Sequence, residues 1–182
     1  MRLRHLSALA CGTLVALACA GAHGDEVGKQ PPPFPSQKAK QWIGTPQTWE
    51  GLRGQVVLLD VWAFQCVNCV RTMPWINEVR GRYGPRGLSV VGVHTPELDE
   101  ERDPGNVRRA VQKYGLDYSH FLDMNNKYWD ALNNKYWPTL YIVDRCGTIR
   151  GAHVGEIHSK DATAVAIEAR IEALLDEKSC QS

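Results

Sequence analysis

The sequence predicts an α/β domain built on a partly parallel sheet. Two observations carry this. The run Val56–Ala63 is almost unbroken in apolar residues, as strands covered on both faces are, Leu88–Val93 is a second apolar, β-branched run, and Thr139–Val143 a third clear strand. Segments with helical spacing or helix stop signals fall between and after them. Strands alternating with helices imply βαβ units.

The first segment lies outside that domain. Arg2 and Arg4 precede the apolar run Leu6–Ala18, and Ala18-Cys19-Ala20 and Ala20-Gly21-Ala22 offer small-x-small cleavage sites. Residues 1–22 therefore read as a secretory signal peptide. An uncleaved anchor is one alternative, and lipidation of Cys19 after Leu17-Ala18 is another. Residues 23–40 are polar, contain Pro31-Pro32-Pro33 and Pro35, and read as a Pro-rich linker. The domain is assigned to residues 41–182.

Trp42, Ile43 and Trp49 are expected in a short hairpin around Gly44-Thr45-Pro46, with a turn over Leu52–Gln55. Val56–Ala63 is the central strand. A helix follows Cys66 and stops at Tyr83-Gly84-Pro85. The second strand, Leu88–Val93, ends at His94-Thr95-Pro96. Val107, Ala110 and Val111 have helical spacing within Asn106–Tyr114, and Gly115 lies past that end. A short strand is expected over Ser119–Leu122 and a short helix over Asn126–Leu132. Thr139–Val143 leads through the tight turn Asp144–Gly147 into an antiparallel strand, Thr148–Val154. Ala164, Ile167, Ile171, Leu174 and Leu175 give the closing helix, Ala162–Leu175, one apolar face. Asn125–Trp129 recurs as Asn133–Trp137, but two copies of five residues do not make a repeat architecture.

Composition narrows the function. Hydrophobic residues make up 43% and charged residues 23%, as in ordinary globular chains. Lys+Arg is 21 against 20 Asp+Glu, so no basic field exists to attract nucleic acid. No later apolar run is long enough for a further membrane span. Export places Cys66, Cys69, Cys146 and Cys180 in an oxidising compartment, periplasmic or otherwise extracytoplasmic.

Cys66 and Cys69 lie where the central strand hands over to a helix. Two intervening residues let both sulfurs meet in a small ring. At a helix N-terminus, unpaired N–H groups and the macrodipole stabilise a thiolate, the species that attacks disulfides. The second, more buried sulfur then resolves the mixed disulfide. Zinc sites and structural disulfides also use this spacing. Zinc needs two further ligands; Cys146 and Cys180 stand 34 residues apart, and His153 and His158, though four residues intervene, follow no CxxC at finger spacing. No metal and no cofactor are expected; the redox group is the cysteine pair.

The stretch Asp60-Val61-Trp62-Ala63-Phe64-Gln65-Cys66-Val67-Asn68-Cys69, with Pro74 further on, resembles the thioredoxin superfamily. Its members carry a buried acid six residues before the first cysteine, an aromatic-Ala pair and that helix proline; Asp60, Trp62, Ala63 and Pro74 match. Gln65 departs from the usual Trp, and Val67-Asn68 departs from the thioredoxin Gly-Pro. Trp137-Pro138-Thr139 resembles the family's cis-proline loop, which implies that Pro138 presents backbone to a substrate chain beside the first sulfur. The helix–strand–helix from Asn106 to Leu132 resembles the insert of exported TlpA/ResA-like thiol–disulfide oxidoreductases. Gly92–Pro96 and Tyr136-Trp137-Pro138 are also similar to the thioredoxin-like part of DipZ-type proteins. The resemblance implies a thioredoxin-like three-layer sandwich with the TlpA-type insert. It further implies a monomeric reductase for protein thiol or disulfide substrates, served by a membrane or periplasmic redox donor. Reduction of apocytochrome thiols is one role that fits.

Asp60 is a carboxylate inside an apolar strand, where desolvation raises its pKa. It can exchange a proton with Cys69 through water, or serve as a hydrogen-bonded structural residue. Glu97 and His94 follow the second parallel strand, so both belong on the Cys66 side of the sheet. The resemblance implies an active-site glutamate in this region, and Glu97 is assigned that supporting role. His94 reads as a satisfied strand-end residue, Trp62 as packing, and Arg71 as part of a solvated face.

Two rivals are weighed. A peroxiredoxin site needs Pro-x-x-x-Thr-x-x-Cys, and Leu59 and Ala63 occupy those positions. A non-catalytic binding module, such as a metal or assembly chaperone, would use the fold as a scaffold; the lack of Met-rich or His-rich tracts argues against copper handling. The topology brings Cys146 and the C-terminal end to the same pole of the sheet. A Cys146–Cys180 bridge and a free Cys146 beside a frayed tail both stay open.

Overall fold

The computed structural model describes residues 26–177. Residues 1–22, expected to be a signal peptide, lie outside the described residues, as do Cys19 and Cys180. Six strands form one sheet: β1 (Trp42–Ile43), β2 (Val56–Trp62), β3 (Leu88–His94), β4 (Ser119–Leu122), β5 (Thr139–Val143) and β6 (Ile149–Val154), in the order β1-β4-β3-β2-β5-β6. β2, β3 and β4 run parallel; β1, β5 and β6 pair antiparallel with their neighbours. The helices are α1 (Val67–Tyr83), α2 (Pro104–Lys113), α3 (Lys127–Ala131) and α4 (Ala162–Asp176). This is the mixed α/β thioredoxin-like fold, with α2, β4 and α3 as the insert.

Alternation along the fully buried β2 sets the layers. Val56 and Leu58 face Trp75, Ile76 and Val79 of α1 and Ile171 and Leu174 of α4. Val57, Leu59 and Val61 face Tyr128 and Leu132 around α3, with Trp42 and Trp49 beside them. Each such buried aliphatic side chain contributes about 1.5–3 kcal/mol relative to exposure. Asp60 and Trp62 continue the α1 face. There Trp62 joins Cys66, Cys69 and Met73 of the α1 end and Val107, Ala110 and Val111 of α2. The active end of the sheet is thus a third apolar cluster, closed by the insert.

The proline-rich segment is not a linker. Gly28 N–H donates to the Ile149 carbonyl and Ile149 N–H to that of Lys29, so the chain pairs with the start of β6. Pro31 is buried, and Phe34 stacks on Trp49 and Tyr128 and meets Trp42 and Phe121. Trp49 Nε1 donates to the Pro32 carbonyl at 2.8 Å and Trp42 Nε1 to that of Ser36 at 2.9 Å. Prolines hold the segment extended with few amide donors to satisfy, which suits a strap across an aromatic face. Order therefore begins well before Gln41.

The expected hairpin around Gly44 does not form. β1 pairs instead with β4, Trp42 opposite Phe121 and Ile43 opposite His120. Gly44 has φ +81°, and a Cβ there would stand 3.2 Å from Ser119 Oγ, so the turn past β1 needs glycine. The remaining elements match the expectations within two residues. In the Asp144–Gly147 turn, Asp144 Oδ1 accepts from the N–H groups of Cys146 and Thr148 at 2.9 Å each. Cys146 is disulfide-bonded, while Cys180 lies outside the described residues.

Candidate active site

α1 starts at Cys66, which caps it. Cys66 Sγ accepts from Cys69 N–H at 3.2 Å, and the two cysteines form a disulfide with Cα atoms 5.2 Å apart. Cys66 is 8% exposed and Cys69 is 2% exposed, so the first sulfur is the reachable one. It opens on a groove of about 560 Å³. Val67 forms one wall, Glu97 and Leu98 another, and Tyr136 and Trp137 a third.

The third wall is the loop before β5. The Trp137–Pro138 peptide is cis. Trp137 Nε1 donates to the Thr95 carbonyl at 3.0 Å and its ring stacks on Trp129 at 4.0 Å, fixing the loop to the end of β3. The tryptophans of the two five-residue echoes are thus in contact, but their tyrosines diverge: Tyr128 is core and Tyr136 is 54% exposed on the groove. Pro138 itself directs its carbonyl to Gly155 N–H at 3.0 Å, within the fold.

Beneath the disulfide lies a buried polar layer. Asp60 is 1% exposed; Tyr118 donates its hydroxyl to Oδ2 at 3.4 Å, and Oδ1 has no hydrogen-bond partner among the described residues. Burial pushes the Asp60 carboxyl up to about 7, against the opposing pull of the Tyr118 hydrogen bond. Asp60, Gly92 and His120 stand side by side across β2, β3 and β4. Gly92 lets the imidazole lie across β3, since a Cβ there would stand 2.1 Å from His120 Nδ1. Trp62 Nε1 donates to that Nδ1 at 3.2 Å, leaving Nε2 to donate to the Leu116 carbonyl. His94 packs edge-on to Trp62 and stacks with Phe64. Its two nitrogens have no partner among the described residues, unlike the satisfied histidine expected. Desolvation lowers His120 to about 4 and His94 to about 3, so both imidazoles are uncharged at neutral pH.

Of the residues expected from sequence, Cys66, Cys69 and Glu97 meet at or beside the groove. Pro138 follows Trp137, which lines the groove, and Asp60 lies on the α1 face of β2. Arg71 is exposed and, among the described residues, its one ion pair is a 3.5 Å contact with Glu156. Tyr118, His120 and Glu101 were not singled out. Glu101 is fully buried in the turn Asp99–Arg102; Oε1 accepts from Gln65 N–H at 2.7 Å, and Oε2 accepts from Glu97 N–H at 2.6 Å and Leu98 N–H at 2.9 Å. Its one sequence signal is a Glu at the third position of a short helical turn, where it reaches back to the turn's first N–H groups. Among the described residues no group of three or more His, Cys, Asp or Glu could hold a metal.

A disulfide at the start of α1, under a cis-proline loop on this sheet, defines a thioredoxin-fold thiol–disulfide oxidoreductase. The chain belongs to the AhpC/TSA family, which matches residues 27–152 and so includes the strap before β1. Protein DipZ of Mycobacterium tuberculosis (strain CDC 1551 / Oshkosh) is 41% identical over 119 residues, 63% of this chain but 17% of DipZ. The chain therefore spans a small part of that relative's length. Thiol-disulfide oxidoreductase YkuV of Bacillus subtilis (strain 168) is 30% identical over 117 residues, 64% of this chain and 78% of YkuV. The solution structure of a thioredoxin-like protein in its oxidised form superposes with a TM-score of 0.68 at 30% identity, covering 80% of this chain and 95% of that one.

Proposed function

We propose that this protein is an exported reductase of protein disulfides that works through Cys66. The carrying observation is the surround of that sulfur. Three of the exposed large apolar side chains, Val67, Leu98 and Tyr136, ring the groove into which Cys66 opens. An apolar rim at a reactive sulfur suits a polypeptide better than a small solute. The start of α1 favours the Cys66 thiolate.

The thiolate attacks a substrate disulfide, joins one substrate sulfur and releases the other as a thiolate that takes up a proton. Cys69 loses its proton, with Asp60 as the acceptor, and attacks Cys66 Sγ. The second substrate thiolate leaves, the Cys66–Cys69 disulfide forms, and two electrons have passed to the substrate. Pro138 and its loop present backbone to the substrate chain, and Glu97 supplies an acidic wall. A membrane or periplasmic donor of thiol electrons then restores the dithiol. Export rests on the leader-like residues 1–22 and on the cysteine usage.

Alkylation of the reduced protein at pH 7 tests the nucleophile. Cys66 should label faster than Cys69, and Cys69→Ser should accumulate a mixed disulfide with a protein substrate through Cys66. Equal labelling and no adduct would overturn the proposal and leave a non-catalytic binding module. A reduction potential near about −270 mV supports a reductase, whereas one near about −120 mV marks an oxidant.

A further inference from the structure

We infer that Glu101 is a positioning residue for Cys66: its buried carboxylate ties the loop before the nucleophile to the opposite wall of the groove and fixes a negative charge beside the reactive sulfur. The inference rests on the thiol–disulfide exchange reading and adds a determinant of groove width and redox poise to it.

Glu101 accepts three hydrogen bonds, all from backbone N–H groups. One donor is Gln65, covalently next to Cys66. The other two, Glu97 and Leu98, line the groove together with Cys66 and Val67. A single side chain therefore spans from the cysteine loop to the loop after β3. Its burial removes the freedom that a surface carboxylate would have, since an unpaired N–H or carboxylate oxygen there has no water to turn to. Among the described residues no Lys, Arg or His forms an ion pair with it; the nearest basic residue in sequence, Arg102, pairs with Asp99. The charge is held by amide dipoles and is not cancelled by a cation.

Two consequences follow from that geometry. The groove keeps its width when empty, because both walls hang on one carboxylate. The Cys66 thiolate also forms one residue along the chain from the amide that holds this carboxylate, whose charge opposes the favourable field of the α1 start. A less stable thiolate makes the dithiol a stronger reductant.

Glu101→Gln in the full chain removes the charge and one acceptor at nearly constant volume. We expect Cys66 in this variant to titrate at lower pH than in wild type. The equilibrium constant with glutathione should shift about tenfold toward the dithiol, equivalent to about 30 mV. Glu101→Asp keeps the charge but is too short to bridge both loops. It should leave the Cys66 titration near wild type while raising KM for a protein disulfide several-fold more than it lowers kcat. A purely structural carboxylate moves neither the titration nor the equilibrium constant, so a folded Glu101→Gln protein with both unchanged overturns the inference. Should Glu101→Gln fail to fold, an unchanged KM in Glu101→Asp overturns the clamp. The glutathione equilibrium needs no protein substrate, so its outcome is independent of whether the protein-reductase reading holds.

Discussion

Asp60→Asn should change the pH dependence of the oxidised protein's stability, with a predictable sign. In the fold the Asp60 carboxyl titrates at about 7 because burial disfavours its charge. In the unfolded chain it titrates near about 3.9. The folded protein therefore binds this proton more tightly, and its stability falls as pH rises from about 4 to about 7, then levels off. Three units of difference correspond to about 4 kcal/mol, an upper value for one buried group. His94 and His120 act in the opposite sense. Their folded values lie below the ordinary imidazole range, so they add stability as pH rises toward about 6.5. Both are present in wild type and variant, and cancel in the difference. Asparagine keeps the shape and an oxygen for Tyr118. The assay is urea unfolding of the two oxidised proteins between pH 4 and 8, followed by tryptophan fluorescence. The stability of Asp60→Asn relative to wild type should climb with pH by up to about 4 kcal/mol and plateau above pH 7. A difference that stays flat over that range refutes the buried, proton-holding Asp60. The same variant should release mixed disulfides about 10²-fold more slowly.

Two further outcomes test the packing. Phe34→Ala should cost about 3–5 kcal/mol in urea unfolding, because the ring fills the space between Trp42, Trp49 and Tyr128; a loss below about 1 kcal/mol would return the strap to the status of a linker. Gly92→Ala should cost about 1–3 kcal/mol, since the new methyl collides with the His120 ring. Adding His120→Ala should recover part of that loss, and purely additive losses would show that the collision is not the cause.

The central strands were legible because burial on both faces writes a continuous apolar run, as in Val56–Trp62. The cysteine pair was legible because its chemistry depends on a covalent spacing and on the strand that precedes it. The strap was misread because its contribution comes from one ring, Phe34, and from proline carbonyls that accept indole N–H groups, none of which shows as periodicity. The β1–β4 pairing joins residues far apart in sequence, beyond any local pattern. Glu97, Asp99, Glu100 and Glu101 look alike along the chain; only tertiary burial separates Glu101 from its neighbours. Gly92 reads as an ordinary strand residue until His120 is laid across it.

The strap also gives the molecule a polarity. Gly28 and Lys29 join the sheet at Ile149, opposite Val143, and Val143 stands opposite Val57 at the start of β2. Cys66 follows the other end of that strand. The seven residues of β2 put roughly 20 Å between these poles. A chain arriving from upstream thus meets the domain at its base, with the reactive sulfur at the crown. Were that upstream chain fastened to a surface, the disulfide would face outward, toward whatever diffuses past, and length added before residue 26 would extend the reach of the sulfur without altering its aim.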